Sequence, residues 1–160
     1  MPFTADEVAF LTVEDTPETS GDAMTHAAIS TVAADGQPDV VAVSYEFDGT
    51  YLYIGGLNQL LTRKYRNVKA GNEKVAIFIQ RRPQGLWSLQ WMRIYGTADL
   101  VERKGRFDSV ATYGVEDRDS SQYIRITPTI SWGFNLEAKE FAEFNVEDYA
   151  NRNTVKRNDH

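Results

Sequence analysis

From residue 27 onward, apolar and polar residues alternate in short runs parted by turn residues, the two-residue period of half-buried strands. Residues 27–33 form the first run, Ala34-Asp35-Gly36 the turn after it, and 39–47 the second. In that second run Val41, Val43, Tyr45 and Phe47 share one face, with Val40, Ala42, Ser44 and Glu46 opposite. Asp48-Gly49 makes another hairpin turn into 51–56, and further strands are predicted at 74–80, 90–103 and 122–127, the last leading into 128–134. The period changes once in this stretch. Leu61, Tyr65 and Val68 recur at i, i+4 and i+7, so 62–70 reads as a helix, closed by Gly71-Asn72.

The ends are different. Thr4 and Glu7 have the spacing of a capping box opening a short helix, with Val8, Phe10 and Leu11 available to pack. Residues 13–24 are acidic and carry Pro17 and Gly21, which reads as an exposed loop; 81–89 reads as a second loop, and a brief helix is expected near 107–113. Residues 145–160 are polar and expected to fray, leaving 1–144 as the single folded domain. Strands joined by hairpins, with few helices, point to a mainly β antiparallel barrel, since closure removes exposed edges. The order of elements also fits a β-sandwich.

Composition narrows the chemistry. At 160 residues the chain suits one domain with a real core. A formal net charge of −6 argues against sequence-independent nucleic-acid binding. There is no cysteine, hence no disulfide, thiolate nucleophile or cysteine metal site. His26 and the terminal His160 are the only histidines, too few for a metal cluster or a catalytic triad. No apolar run nears the ~20 residues of a membrane span, and the N-terminus has no signal-peptide pattern, so a soluble cytoplasmic protein is expected. The carboxylates show no helical spacing that would align an acid–base pair, so no catalytic residue is assigned. A chain without nucleophile or base favours chemistry carried by a cofactor.

The sharpest candidate site is Gly55-Gly56 at a strand end, followed by Leu61-Thr62-Arg63-Lys64-Tyr65-Arg66-Asn67. Thr62 is a candidate N-cap, and Arg63, Lys64 and Arg66 put cations where the helix dipole disfavours them. A bound anion such as a phosphate would relieve that conflict; a solvated basic helix face is the alternative. The glycine pair lets a flat ligand or another backbone approach, or simply shapes a loop. Trp87, Trp91 and Trp132 serve as core filler or as ring-stacking groups. Arg125 pairs with a buried anion or faces solvent.

These residues together resemble the pyridoxamine 5′-phosphate oxidase-like flavin/deazaflavin oxidoreductases. The resemblance runs from about Thr4 to Phe134 through Ser30-Thr31-Val32-Ala33, Asp35-Gly36-Gln37-Pro38, Tyr53-Ile54-Gly55-Gly56, Thr62 to Val68, Arg93 to Ala98, and Ile124 to Pro128 with Ile130 to Gly133. It implies a split β-barrel that forms a homodimer, with cofactor sites at the subunit interface. It also implies that Thr62, Arg63 and Lys64 hold the cofactor phosphate, that Val41, Ala42, Val43, Ser44, Ile54, Gly55 and Gly56 line the ring system, and that Trp132 lies close by. The chain looks nearest the branch that uses the deazaflavin coenzyme F-420, with FMN as the alternative. It departs from the family's pattern at Thr25-His26, at Ala42 and Ser44, and across residues 81–91. The expected function is a reductase passing hydride from reduced deazaflavin to an unsaturated small organic substrate. The alternatives are an FMN-binding oxidoreductase or oxidase of the same fold, and a cofactor-binding dimer without turnover.

Overall fold

A computed structural model describes residues 3–12, 26–81, 89–105, 110, 114–117, 119–137 and 153–156. Its strands are β1 (His26–Val32), β2 (Pro38–Ser44), β3 (Glu46–Phe47), β4 (Leu52–Ile54), β5 (Lys74–Arg81), β6 (Gln90–Glu102), β7 (Gln122–Phe134) and β8 (Asn153–Lys156). Among the described residues, the short helices α1 (Ala5–Leu11) and α2 (Arg63–Lys69) accompany them, and a 3-10 turn at Gln59–Leu61 leads into α2. The expected loop at 13–24, residues 82–88 of the second loop and nearly all of the expected helix at 107–113 lie outside the described residues.

All the strands belong to one antiparallel sheet in the order β2-β1-β5-β6-β7-β4-β3, with β8 added to β7. β2 and β3 stand at opposite ends of that order, yet only Tyr45 separates them in the chain. The sheet must therefore curl back on itself, and the architecture is a split β-barrel rather than a sandwich. This corrects the expected single strand at 39–47, which is two strands with different partners: β2 pairs β1, and β3 pairs β4. The corner is fastened at Tyr45, a buried side chain whose hydroxyl donates to the Leu11 carbonyl at 3.1 Å and accepts from Arg81 Nη2 at 2.8 Å. A buried hydroxyl needs such partners, and here they tie the corner to α1 and β5.

β3 is too short to hold by its ladder alone. Arg103 from just past β6 pairs with Glu46 and lies over the Tyr53 ring, 4.0 Å from its centroid. The Tyr123 hydroxyl donates to Glu46 Oε1 at 3.4 Å. Burial, with the Glu46 carboxylate next, pushes the Tyr123 phenol up to about 12, so it stays protonated and donating.

The long β6–β7 ladder carries one irregularity. Gly96 stands opposite Pro128 and Tyr95 opposite Ile130, which leaves Thr129 bulged, its hydroxyl donating to the Tyr95 carbonyl at 3.1 Å. A Cβ at Gly96 would run into the Thr127 carbonyl, so glycine is what lets the strands meet there. Pro128 was expected to end the strand; instead it sits at this bulge and β7 continues to Phe134. Residues 153–156, expected in a frayed tail, pair with β7 as β8.

The inner face is aliphatic and closely sealed: Ile29, Leu52, Ile77, Ile94, Ile124 and Ile126 are buried. α1 contributes Phe10 and Leu11 to the core, while Val8 surfaces and Glu7 turns inward. The Glu7 carboxylate accepts from the Thr4 N–H at 2.9 Å, completing the capping box, and also from the Ser131 hydroxyl on β7. The outer face is different. Ala42, Ala28, Phe78, Arg93 and Trp132 line up across β2, β1, β5, β6 and β7. Val40 on the same face is 68% exposed. Among the described residues no helix is long and apolar enough to cross a membrane.

Candidate functional site

The site grows from the end of β4. After Ile54 the chain passes Gly55 and Gly56, turns at Asn58 in the left-handed conformation (φ 51°), and enters the 3-10 turn. Thr62 ends that turn and caps α2, its hydroxyl donating to the Gln59 carbonyl at 2.7 Å and accepting from the Tyr65 N–H at 3.3 Å. α2 is anchored below by Asn67, whose Nδ2 donates to Thr31 Oγ1 on β1 at 2.9 Å, and by Tyr65, whose hydroxyl donates to Gln122 Oε1 at 3.3 Å. Tyr65 and Val68 are buried as their spacing predicts, but Leu61 is 73% exposed because it belongs to the 3-10 turn and not to the helix.

The three cations separate. Arg63 and Arg66 are exposed. In a helix this short Arg66 also falls in the last turn, where a cation suits the dipole, which removes part of the expected conflict. Lys64 is another matter: it is 7% exposed, and its ammonium has no hydrogen bond or ion pair among the described residues. Burial lowers its pKa, because the charged form has lost water and gained no counter-charge. Beside it Gln59 is 0% exposed; its Nε2 donates to the Ile54 carbonyl at 2.9 Å, and its Oε1 is buried without a partner. A Cβ built on Gly56 would lie 3.1 Å from Gln59 Oε1 and 3.5 Å from Lys64 Nζ. The Lys64 ammonium and the buried Gln59 oxygen thus both lie close against Gly56, where a side chain would crowd them.

The other sequence-chosen residues fall in three places. Gly55 does not open toward a ligand: a Cβ there would stand 2.8 Å from the Tyr123 ring, so its bareness accommodates that ring. Ile54 is sealed in the core, and its carbonyl is already taken by Gln59. Val41 and Val43 pair with Ile29 and Ala27 on the inner face at the open edge of the barrel, where Val41 remains 41% exposed. Ala42 and Ser44 face outward, as does Trp132, which packs edge-on to Tyr95 at 4.8 Å and carries the Arg93 guanidinium at 4.3 Å. Trp91 stacks on Phe134 at 6.0 Å. Arg125 is a surface residue that donates through Nε to Asp99 at 3.0 Å, directly across from it on β6. β1 begins at His26, and Trp87 lies outside the described residues. No group of three or more His, Cys, Asp or Glu that could hold a metal occurs among the described residues.

Sequence reasoning missed Gln59, Arg93 and the Glu46–Arg103–Tyr123 cluster. Gln59 alone carried a signal, a polar side chain between the glycine pair and the capped helix, but nothing in the pattern of residues told that its oxygen would be buried.

The curled antiparallel sheet accords with what known proteins show. The sequence profile of the pyridoxamine 5′-phosphate oxidase family matches residues 23–135, most of the chain. The chain belongs to the pyridoxamine 5′-phosphate oxidase family. It is 32% identical over 141 residues to the 5a,11a-dehydrotetracycline/5a,11a-dehydrooxytetracycline reductase of Streptomyces rimosus, covering 83% of this chain and 84% of that one. The fold is similar to that of a pyridoxamine 5′-phosphate oxidase-like protein of Listeria innocua (22% identity, TM-score 0.54, 69% of this chain and 89% of that one). It is similar as well to a protein named "F420 Reductase" (22% identity, TM-score 0.50, 74% and 98%).

As a member of the pyridoxamine 5′-phosphate oxidase family with a reductase among its relatives, the protein is an oxidoreductase, and the fold is one that holds a flavin or deazaflavin. In this family member the adjacent glycines have separate duties, which single substitutions distinguish. Gly55→Ala pushes a methyl into the Tyr123 ring and should cost about 1–3 kcal/mol of stability, the usual range for overpacking. Gly56→Ala meets only the ends of two side chains, Gln59 and Lys64, and should cost less. Denaturant unfolding of both variants checks the order; equal losses would contradict it.

Proposed function

We propose that this protein is a reductase that anchors the phosphate of a deazaflavin, coenzyme F-420, on Lys64 and reduces an unsaturated small organic substrate. The observation that carries the reading is Lys64, a largely buried side chain whose ammonium has no partner among the described residues and stands beside Gly56. An anion there would supply the missing counter-charge in a charge-assisted hydrogen bond. Thr62 holds the turn that presents Lys64, and the exposed Arg63 next to it adds attraction for an anion approaching from solvent. The activity for which the Streptomyces rimosus relative is named, reduction of a dehydrogenated polycyclic compound, favours an unsaturated substrate. When bound, the reduced coenzyme supplies the hydride; the chain's own part is to anchor, orient and keep the site dry. Leu57, Leu60 and Leu61, exposed beside Lys64, offer apolar surface for that last task.

A homodimer belongs to the same proposal. Lys64 stands on the inner side of the sheet, with α2 bonded to Thr31, and Trp132 faces outward. A role for Trp132 at the site therefore needs a second copy of the chain. The exposed Val40, Phe78 and Tyr95, with Trp132, give the outer face an apolar surface for such a copy to cover.

Two outcomes follow. Lys64→Met keeps the volume and removes the charge, so it should weaken coenzyme F-420 binding about ten- to a hundredfold, since a charge-assisted hydrogen bond contributes roughly 1.5–3 kcal/mol. The coenzyme-free variant should be at least as stable as the parent, because an unpaired buried charge has gone. Titration of coenzyme F-420 and of FMN into both proteins at fixed salt reads this; unchanged dissociation constants would remove Lys64 from the site, and tighter FMN binding would name the other cofactor. Light scattering should give about twice the subunit mass, and a monomer at micromolar concentration would exclude the shared site.

A further inference from the structure

The outer face of the sheet changes character at the bulge where Gly96 stands opposite Pro128. On one side of it the arginines are paired, Arg125 with Asp99 and Arg103 with Glu46. On the other side Arg93 stands in the middle of β6, between Phe78 on β5 and Trp132 on β7. Its guanidinium lies over the Trp132 ring, 4.3 Å from the centroid, and 5.6 Å from that of Tyr95. Among the described residues Arg93 makes no hydrogen bond or ion pair, and its Nε is buried without an acceptor. Stacking on rings uses the flat face of a guanidinium and leaves its N–H donors, which lie in its plane, unspent. A half-buried guanidinium in that state lacks an acceptor.

The strands around it offer none. The outward positions of β1 (28–32), β2 (40–44), β5 (76–80), β6 (91–95) and β7 (130–134) include no Asp or Glu. A second copy that laid the same face here in a two-fold arrangement would bring the same residues, and so no acid. The neighbouring rings decide what kind of anion fits. Trp91 stacks on Phe134 at an interplanar angle of 13°, Trp132 meets Tyr95 edge-on, and Ala28 and Ala42 keep the adjoining strands low. Flat ring surface around one positive charge suits a conjugated ring that carries a carboxylate, enolate or phenolate oxygen in its plane.

We propose that Arg93 is a specificity-determining residue that pairs through its in-plane donors with an anionic oxygen of the substrate, so that the outer face selects flat conjugated anions over neutral analogues of the same shape. This rests on the proposed reductase function only in calling the ligand the substrate. Arg93 and its rings are independent of Lys64 and of the coenzyme.

The test uses the whole chain and three probes: 2-naphthoate, its neutral amide 2-naphthamide, and cyclohexanecarboxylate, an anion without a flat ring. Dissociation constants are read from chemical-shift titrations that follow the Trp132 indole and Arg93 guanidinium N–H groups. 2-Naphthoate should bind about tenfold more tightly than 2-naphthamide, the scale of one charge-assisted hydrogen bond, and more tightly than cyclohexanecarboxylate. Arg93→Gln should erase the preference for naphthoate over its amide while leaving naphthamide binding little changed. The comparison of probes in the parent protein stands even if the variant folds poorly. Equal binding of naphthoate and naphthamide would overturn the role of Arg93, and so would a failure of all three probes to perturb Trp132 and Arg93. An Arg93→Gln variant that becomes monomeric in light scattering yet keeps the naphthoate preference would overturn it as well, by assigning the guanidinium to the second copy. The probes carry no phosphate, so their failure leaves the Lys64 anchor standing, and failure of that anchor in the coenzyme titration leaves the naphthoate result readable.

Discussion

A sheet whose two ends are joined by a single residue has no freedom to lie open. Tyr45 links β2 to β3, and everything else about the barrel follows from the need to turn that corner and close. The hydroxyl of Tyr45 fastens the corner to α1 and β5; the Glu46–Arg103–Tyr123 cluster fastens the short strand beyond it. The Tyr123 ring that serves this closure presses against residue 55, and Gly55 is the accommodation. Closure thus determines where β4 stops, and the loop leaving β4 determines where Gln59 and Lys64 come to rest.

The functional consequence is electrostatic. An unpaired ion inside a protein costs on the order of several kcal/mol, and chains avoid it unless something compensates. Lys64 keeps only a trace of solvent exposure and meets that cost partly through its lowered pKa. The fold has no need of a cation there: the neighbouring contacts of α2, from Asn67 to Thr31 and from Tyr65 to Gln122, hold the helix without it. In the proposed function the coenzyme phosphate is the counter-charge that Lys64 lacks among the described residues.

Much of this was legible in the chain. Periodicity placed β1, β5, β6 and α2 to within a residue or two, because each has one clean buried face, and the capping-box spacing of Thr4 and Glu7 marked the start of α1. Three errors share one cause: local pattern carries no information about distant partners. Residues 39–47 alternate without interruption, so nothing local marks the change of partner at Tyr45. Pro128 reads as a strand end because the β6 residue that tolerates its bulge, Gly96, is far away in sequence. Residues 153–156 are too polar to announce a strand, yet β7 supplies their ladder. At the site, charge pattern found the Thr62–Arg66 segment but could not say which cation turns inward. It also treated Gly55-Gly56 as a unit, whereas one glycine makes room for Tyr123 and the other borders Lys64 and Gln59. The resemblance to the family, carried by short motifs in order, reached the fold and the oxidoreductase class that geometry alone would not have named.

The central claim is that Lys64 is a buried cation awaiting an anion. The direct measurement is the titration of its side-chain nitrogen by nitrogen-15 NMR, in the free protein and with coenzyme F-420. Desolvation without a partner predicts that Lys64 loses its proton at lower pH than the surface lysines, and that the coenzyme's phosphate moves that midpoint upward by stabilising the charged form. A Lys64 that titrates together with the surface lysines, and does not move when the coenzyme binds, would contradict the account.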